Sequence, residues 1–231
     1  FDEDQKLVDS VYSSTCGGHT EDYHLMWGGL PQKALMGKRD HISSLDQSQS
    51  NESKANESKV DQGLIDGHLS SMFDNHQSFC SEPKHTYRWQ EKLKGSLLSN
   101  KLKKHNIGAV YGIEVIKRGR SGRAIDIKYH GTKGEHIVRG SYQNRLLLGQ
   151  LKSGLWQLTA QYGKNLKAYE PQAKGSDFNA KEPTNWIFDG AGYGHGVGMC
   201  QHGALQMSKQ NYKVDQILSH YYTGSKIIKI W

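Results

Sequence analysis

The sequence predicts an α+β protein: an antiparallel, β-rich sheet with short helices in one domain, residues 1–231, with a low-complexity surface insertion at 43–63. Three observations carry this prediction. From Ala109 to Gly140, three runs of alternating apolar and polar residues are separated by Gly-containing turns, the pattern of an antiparallel meander. Helix-spaced apolar residues occur only in short stretches. The chain also holds 5 Trp, 12 Tyr and 5 Phe against only 4 Pro in 231 residues, a ring content too high for wholesale disorder.

Taken in order, LVDSVYS (7–13) has the apolar content of a strand in Leu7, Val8, Val11 and Tyr12. A loop over Cys16–Asp22 and a turn-forming MWGGLP (26–31) follow. Residues 43–63 are built of Ser, Asn, Gln and mixed charge and contain NESK twice, too short a unit for a structural repeat. Residues 64–76 carry Leu64, Ile65, Leu69, Met72 and Phe73 at helical spacing. A helix is expected from Ser96, as N-cap, to Lys104, with lysines where the helix dipole favours cations. The meander comprises strands 109–117, 124–130 and 136–140. A helix over 142–151 and strands over 155–162 and 185–190 come next. Gly190–Gly198 has five Gly in nine residues and leads into a helix over 199–207. A helix over 214–222 and a closing strand over 226–231 complete the chain.

Composition excludes several classes. Hydrophobic residues are 35% of the chain, below the usual ~45–50%, and no apolar run approaches the ~18–20 residues that a membrane-spanning helix needs. Three Cys are too few for a disulfide scaffold. The net charge of +7 favours an anionic partner. Lys84, Arg88, Lys92, Lys94, Lys101, Lys103 and Lys104 face only Glu82 and Glu91 in one short window, which reads either as a solvated helix face or as a binding surface. A nucleic-acid partner would rest on charge and aromatic content alone and is not expected. The start at Phe1, without a leader, is expected to reflect processing or an internal fragment.

Several residue groups can carry chemistry. Glycines alternating from Gly190 to Gly198 permit left-handed backbone and close ligand approach, yet no Lys-Ser/Thr follows as a phosphate loop requires. His195 stands among these glycines with no apolar face around it, which marks it as a site residue. Cys16-x-x-His19 offers half a zinc site, with Cys80 or Cys200 and another His to complete it. A Cys16–Cys80 disulfide in an exported protein and plain burial of the thiols stand beside that reading. Glu21 and Asp22 are adjacent and point to opposite faces of a strand, so they do not form a catalytic pair; one of them can serve as a site acid, since glycoside cleavage needs a buried carboxyl of raised pKa. Tyr87-Arg88-Trp89 and Tyr221-Tyr222 suit sugar stacking or ordinary core packing.

Val11-Tyr12-Ser13-Ser14-Thr15-Cys16-Gly17-Gly18-His19-Thr20-Glu21-Asp22 with Trp27-Gly28-Gly29 resembles the stage II sporulation protein D (SpoIID)/amidase-enhancer LytB family. So does GYGHGVGMCQHGALQMSKQNYKVDQILSHYYTGSKI (192–227), and FCSEPKHTYRW (79–89), RGRSGRAIDI (118–127) and NRLLLGQLKS (144–153) are similar to segments between them. The resemblance implies an exported, extracytoplasmic cell-wall protein whose partners are peptidoglycan glycan strands and another wall hydrolase or amidase. It implies lytic transglycosylase chemistry leaving a 1,6-anhydromuramoyl end, or, as the alternative, a non-catalytic binding or amidase-enhancing module. The family's catalytic Glu and a Cys/His zinc cluster known in some members lie ahead of the YSSTCGGHTED region. Eleven residues precede Tyr12 here and Glu3 is no match, so the chain resembles the C-terminal portion of the family domain. Glu21 then becomes the replacement acid. His19, Thr20, Asp22, Trp27, Arg88, Trp89, His195, Gln201, Tyr221 and Tyr222 are expected to bind glycan. No cofactor is expected, with zinc at Cys16, His19 and Cys80 the one candidate.

Overall fold

The computed structural model of the protein describes residues 7–40, 78–168 and 181–228; the expected insertion at 43–63 and helix at 64–76 lie outside them. The fold is α+β. In chain order the elements are β1 (Tyr12–Ser13), α1 (Tyr23–Trp27), α2 (Lys84–Tyr87), β2 (Arg88–Lys94), α3 (Gly95–Lys101), β3 (Val110–Arg118), β4 (Ala124–Gly131), β5 (Gly134–Val138), α4 (Ser141–Leu147), β6 (Trp156–Tyr162), β7 (Asn165–Ala168), β8 (Asn185–Ala191), β9 (Met199–Cys200), α5 (Gln201–Lys209) and α6 (Val214–Tyr221). They gather into two compact units. One holds Phe1–Arg88, Gly119–Gly122 and Ala191–Trp231; the other holds Trp89–Arg118 and Arg123–Gly190.

The second unit contains the predicted meander, β3–β4–β5, with both pairings antiparallel. Along β4, Ile125, Ile127 and Tyr129 fall on one face and are buried, as the period of two requires. The buried Asn144 of α4 ties this sheet to its helix. Its Oδ1 accepts the Tyr129 hydroxyl at 2.8 Å, and its Nδ2 lies 2.9 Å from the Ile125 and Val138 carbonyls. A second sheet runs β2–β8–β6–β7, with β6 antiparallel to both β7 and β8. Its core is aromatic: Trp156 meets Phe188 edge-on at 5.2 Å, beside buried Trp186 and Trp89.

Gly190 ends this sheet against the Trp89 ring, where a Cβ would overlap three ring carbons. Gly190→Ala is therefore expected to destabilise the protein by about 1–3 kcal/mol through overpacking. A urea unfolding curve followed by Trp fluorescence reads the shift, and an unchanged midpoint would refute the contact.

The first unit is tied together by short pairings rather than by long strands. β1 lies parallel to β9, and single bridges join Thr15 to Tyr193, His19 to Arg39 and Glu21 to Val197. The glycine-rich stretch thus runs alongside residues 12–21. Gly198 has φ +69°, and a Cβ there would strike the Val11 carbonyl, so only glycine lets the two chains close. α5 begins at the N-cap Cys200, whose sulfur accepts the Gly203 N–H at 3.3 Å. α6 begins where the Lys213 N–H donates to Gln216 Oε1 at 2.8 Å. Met207, Ile217, Tyr221 and Tyr222 bury these helices against Leu35, Phe79 and Val197.

Several expectations are corrected. The strand over 7–13 shrinks to two residues, because β9 offers a partner of only two, and Leu7 is 80% exposed. Residues 226–228 form no strand and expose Ile227 and Ile228; the rest of that expected strand lies outside the described residues. The helix expected from an N-cap at Ser96 instead has Lys94 as N-cap. It closes at Lys101 and passes through a 3₁₀ turn, Lys103–His105, into left-handed Asn106. The helix over 142–151 stops at Leu147, before Gly149 and Gln150 adopt positive φ. The basic window is no single helix face, since it spans α2, β2 and α3. In β3, register shifts at Val110/Gly112 and Val115/Lys117 break the alternation and leave Ile116 outward.

Candidate functional site

The motif residues His19–Asp22 form a buried brace. Thr20 exchanges backbone and side-chain hydrogen bonds with Lys38: its N–H donates to the Lys38 carbonyl at 2.8 Å, and its Oγ1 accepts the Lys38 N–H at 2.9 Å. His19 Nδ1 sits 2.6 Å from the Thr20 carbonyl. The Glu21 N–H donates to the Gly196 carbonyl at 3.0 Å, which ties the brace to the glycine-rich stretch.

Glu21 itself is 0% exposed. Its Oε1 accepts the Asp22 N–H at 2.9 Å, and its Oε2 accepts the Ser121 hydroxyl at 2.5 Å and the Ser121 N–H at 3.3 Å. Gly119 leaves the space for that carboxylate, since a Cβ there would overlap Oε2. Asp22 binds the neighbouring residue: its Oδ2 pairs with Arg120 Nε at 3.1 Å, and its Oδ1 accepts the Gly37 N–H. Residues 21 and 22 lie in no strand, and both acids reach the same stretch, Gly119–Ser121, and fasten loops. Glu21, the expected replacement acid, has both of its oxygens engaged in the interior. His19, Thr20 and Asp22 are likewise buried in this brace.

Above this brace lies an exposed ring pair. Trp27 closes α1 at 51% exposure and meets the His195 ring edge-on at 4.7 Å, and the Tyr23 ring lies 5.0 Å from it. His195 Nδ1 accepts the Val197 N–H at 3.0 Å, which places the proton of the neutral ring on Nε2. Gly28 and Gly29, at φ +82° and +87°, have open space beside them. Tyr193, on the same glycine-rich stretch, is also exposed. Sequence reasoning did not select Tyr193, although its place between Gly192 and Gly194 was a signal.

The remaining expected glycan binders separate. Gln201 is exposed at the first turn of α5. Arg88 lies 3.8 Å over the Tyr87 ring and donates to the Gly17 carbonyl at 3.1 Å. Burial of Tyr87 pushes its hydroxyl up to about 12. Trp89, Tyr221 and Tyr222 lie inward. Trp89 belongs to the core of the second unit, Tyr221 donates to Asp40 at 2.9 Å and Tyr222 to the Val11 carbonyl at 2.8 Å, all three buried.

All three cysteines are buried, and none is in a disulfide. Cys16 and Cys80 sulfurs are 3.2 Å apart and not bonded to each other here. Cys16, Cys80 and Cys200 converge with Asp40, their ligand-type atoms all within 4.8 Å of one another. His19 is not in this group, which corrects its candidacy as a metal ligand. Asp40 was missed, because Gly37-Lys38-Arg39-Asp40 has no ligand spacing to notice.

Asp40 is divided between two sets of partners. Oδ1 accepts Tyr221 OH at 2.9 Å and lies 3.2 Å from His220 Nε2; Oδ2 faces Cys16 Sγ at 3.2 Å and Ser78 Oγ at 3.3 Å. Burial opposes its ionisation, yet His220, Cys16 and Tyr221 together hold it below the ordinary carboxylate range. Burial pushes the Cys16 and Cys80 thiols up. Cys200 shifts the other way: burial raises it, but hydrogen bonds from Cys16, Cys80 and the Gly203 N–H outweigh that.

The family described as a domain of unknown function (DUF8618) matches residues 21–198. The stage II sporulation protein D of Bacillus subtilis (strain 168) is 40% identical over 70 residues, which cover 28% of this chain and 20% of that protein. The stage II sporulation protein D of Bacillus amyloliquefaciens matches to the same extent. The match thus spans about a fifth of the length of these relatives.

Proposed function

The chain belongs to the DUF8618 family, and from that premise we propose that it acts on the cell wall, holding glycan strands of peptidoglycan on the Trp27–His195 face. The observation that carries this is the half-exposed Trp27 with the His195 ring edge-on beside it. A ring already packed against a neighbour loses little freedom when a sugar ring stacks on its open face. The partial likeness to sporulation proteins D supports a wall-related, sporulation-type role. Exposed Lys92, Lys94, Lys101, Lys103 and Lys104 suit an anionic wall. A wall partner puts the site of action outside the cytoplasmic membrane; no helix among the described residues is long and apolar enough to cross a membrane.

Cleavage of lytic transglycosylase type needs an acid in reach of the glycosidic oxygen. The buried, fully engaged Glu21 favours holding the strand over cutting it in these residues.

The test is binding to purified wall sacculi and to soluble glycan strands. Trp27→Ala is expected to lower affinity about tenfold or more, the loss of one buried aromatic contact, with the melting temperature unchanged because half of the ring is already in water. Equal binding by wild type and variant would refute the proposal. Release of 1,6-anhydromuramoyl products by the chain alone would replace the holding role with cleavage.

A further inference from the structure

The first unit contains a second, separate constellation. Four donor atoms, from residues far apart in the chain, meet inside it: the sulfurs of Cys16, Cys80 and Cys200 and a carboxylate oxygen of Asp40. All four residues are at most 1% exposed. Around one tetrahedral zinc ion, three sulfurs at about 2.3 Å and an oxygen at about 2.0–2.2 Å would be spaced by about 3.5–3.8 Å. The observed group, all within 4.8 Å, needs only small adjustments of side-chain torsions to reach that spacing.

The groups around the donors are those a metal site requires. Asp40 offers Oδ2 to the cysteines while His220 and Tyr221 hold Oδ1, so the carboxylate is aimed and bound through one oxygen only. Cys200 Sγ accepts two backbone N–H groups, from Cys16 and Gly203, each at 3.3 Å. Such bonds spread the charge of a bound thiolate. Ser78 Oγ bridges Asp40 Oδ2 at 3.3 Å and Cys80 Sγ at 3.2 Å.

We infer that Cys16, Cys80, Cys200 and Asp40 form a closed structural site for one divalent metal ion, with zinc the ion their chemistry selects. Three sulfur donors exclude magnesium and calcium, which take oxygen. Four protein ligands and complete burial leave no position for water or substrate, so the ion is a clamp and not a catalyst. It joins the segment after β1, the Asp40 loop, the Ser78–Cys80 turn and the start of α5. This inference does not depend on the glycan-holding proposal, since no residue is shared.

The test uses the whole chain, purified under reducing conditions and given Zn²⁺ before gel filtration. Metal analysis is expected to find one zinc per chain. The three thiols should react slowly with a thiol reagent and rapidly once a strong chelator is added. Replacement by Co²⁺ should give thiolate-to-metal absorption and the visible bands of a tetrahedral site. Asp40→Asn should lower zinc affinity about tenfold or more, and Cys80→Ser should abolish stoichiometric binding. Should those variants fail to fold, the wild-type chain decides alone. Retention of less than about a tenth of an equivalent of zinc, or thiol reactivity equal with and without chelator, overturns the inference. So does a Cys16–Cys80 disulfide in metal-free protein.

Discussion

Replacing Glu21 by Ala is expected to destabilise the protein by about 3–5 kcal/mol, a loss on the order of 10 °C in melting temperature for a chain of this size. The carboxylate accepts three hydrogen bonds in a site with no water access: from the Asp22 N–H, the Ser121 N–H and the Ser121 hydroxyl. Bonds to a charged acceptor are each worth about 1.5–3 kcal/mol, and each donor left unpaired in the interior costs about 1–3 kcal/mol. Glu21→Gln keeps the shape but turns an amide donor toward Ser121, which already presents two donors. It should fall between wild type and Glu21→Ala, by about 1–3 kcal/mol. Thermal unfolding of the three proteins side by side measures this. The same series separates a brace from a catalytic acid. An acid at work on a substrate would give a Gln variant as stable as wild type and defective only in product formation; that result would reverse the role assigned here.

The contrast between what was and was not legible follows from the range of the interactions. The meander could be read because its signal is local. Ile125, Ile127 and Tyr129 alternate in the sequence as they do in space. Its irregularities could not be read, because the bulges that turn Ile116 outward arise from pairing with β4 and not from the composition of β3. The first unit is built from pairings of one or two residues, such as Glu21 with Val197, and a single bridge has no period to detect. The glycine-rich motif announced a close approach, but what approaches is the chain itself: the Val11 carbonyl at Gly198 and the Thr15 carbonyl at Gly192.

The site shows the same division. Trp27 and His195 could be selected because a large ring beside Gly-Gly and a histidine among glycines are locally odd. Glu21 and Asp22 stand out as acids in a glycine-flanked loop, but their burial has no local signal. Ser121, which holds Glu21, is 100 positions away. Asp40 had no local mark at all, and its anchor His220 lies 180 positions further on. Cys16 was paired with His19 on spacing, yet the bridge to Arg39 and the bond to the Thr20 carbonyl draw His19 into the brace. Only the fold brings Cys200 to Cys16.

Asp40→Ala is expected to be as damaging as the loss of Glu21, about 3–5 kcal/mol, even with chelator and reductant present so that no metal contributes. The carboxylate removed is the acceptor for Tyr221 OH, lies in hydrogen-bond contact with His220 Nε2 and Ser78 Oγ, and is buried at 1% exposure. Removing it leaves the Tyr221 hydroxyl without its carboxylate acceptor in a core shared with Phe79, Met207 and Ile217. Tyr221→Phe alone deletes a donor and should cost about 1 kcal/mol, since the ring still fills its place. The double variant is the informative one. With the carboxylate already gone, losing the hydroxyl removes an orphaned polar group, so the combined cost should fall below the sum of the two single costs by about 0.5–3 kcal/mol. Denaturant unfolding of the four proteins closes this cycle. Additive losses would mean that the Tyr221–Asp40 bond contributes nothing, and a neutral Asp40→Ala would remove the carboxylate from its place as the anchor between α6 and the cysteines.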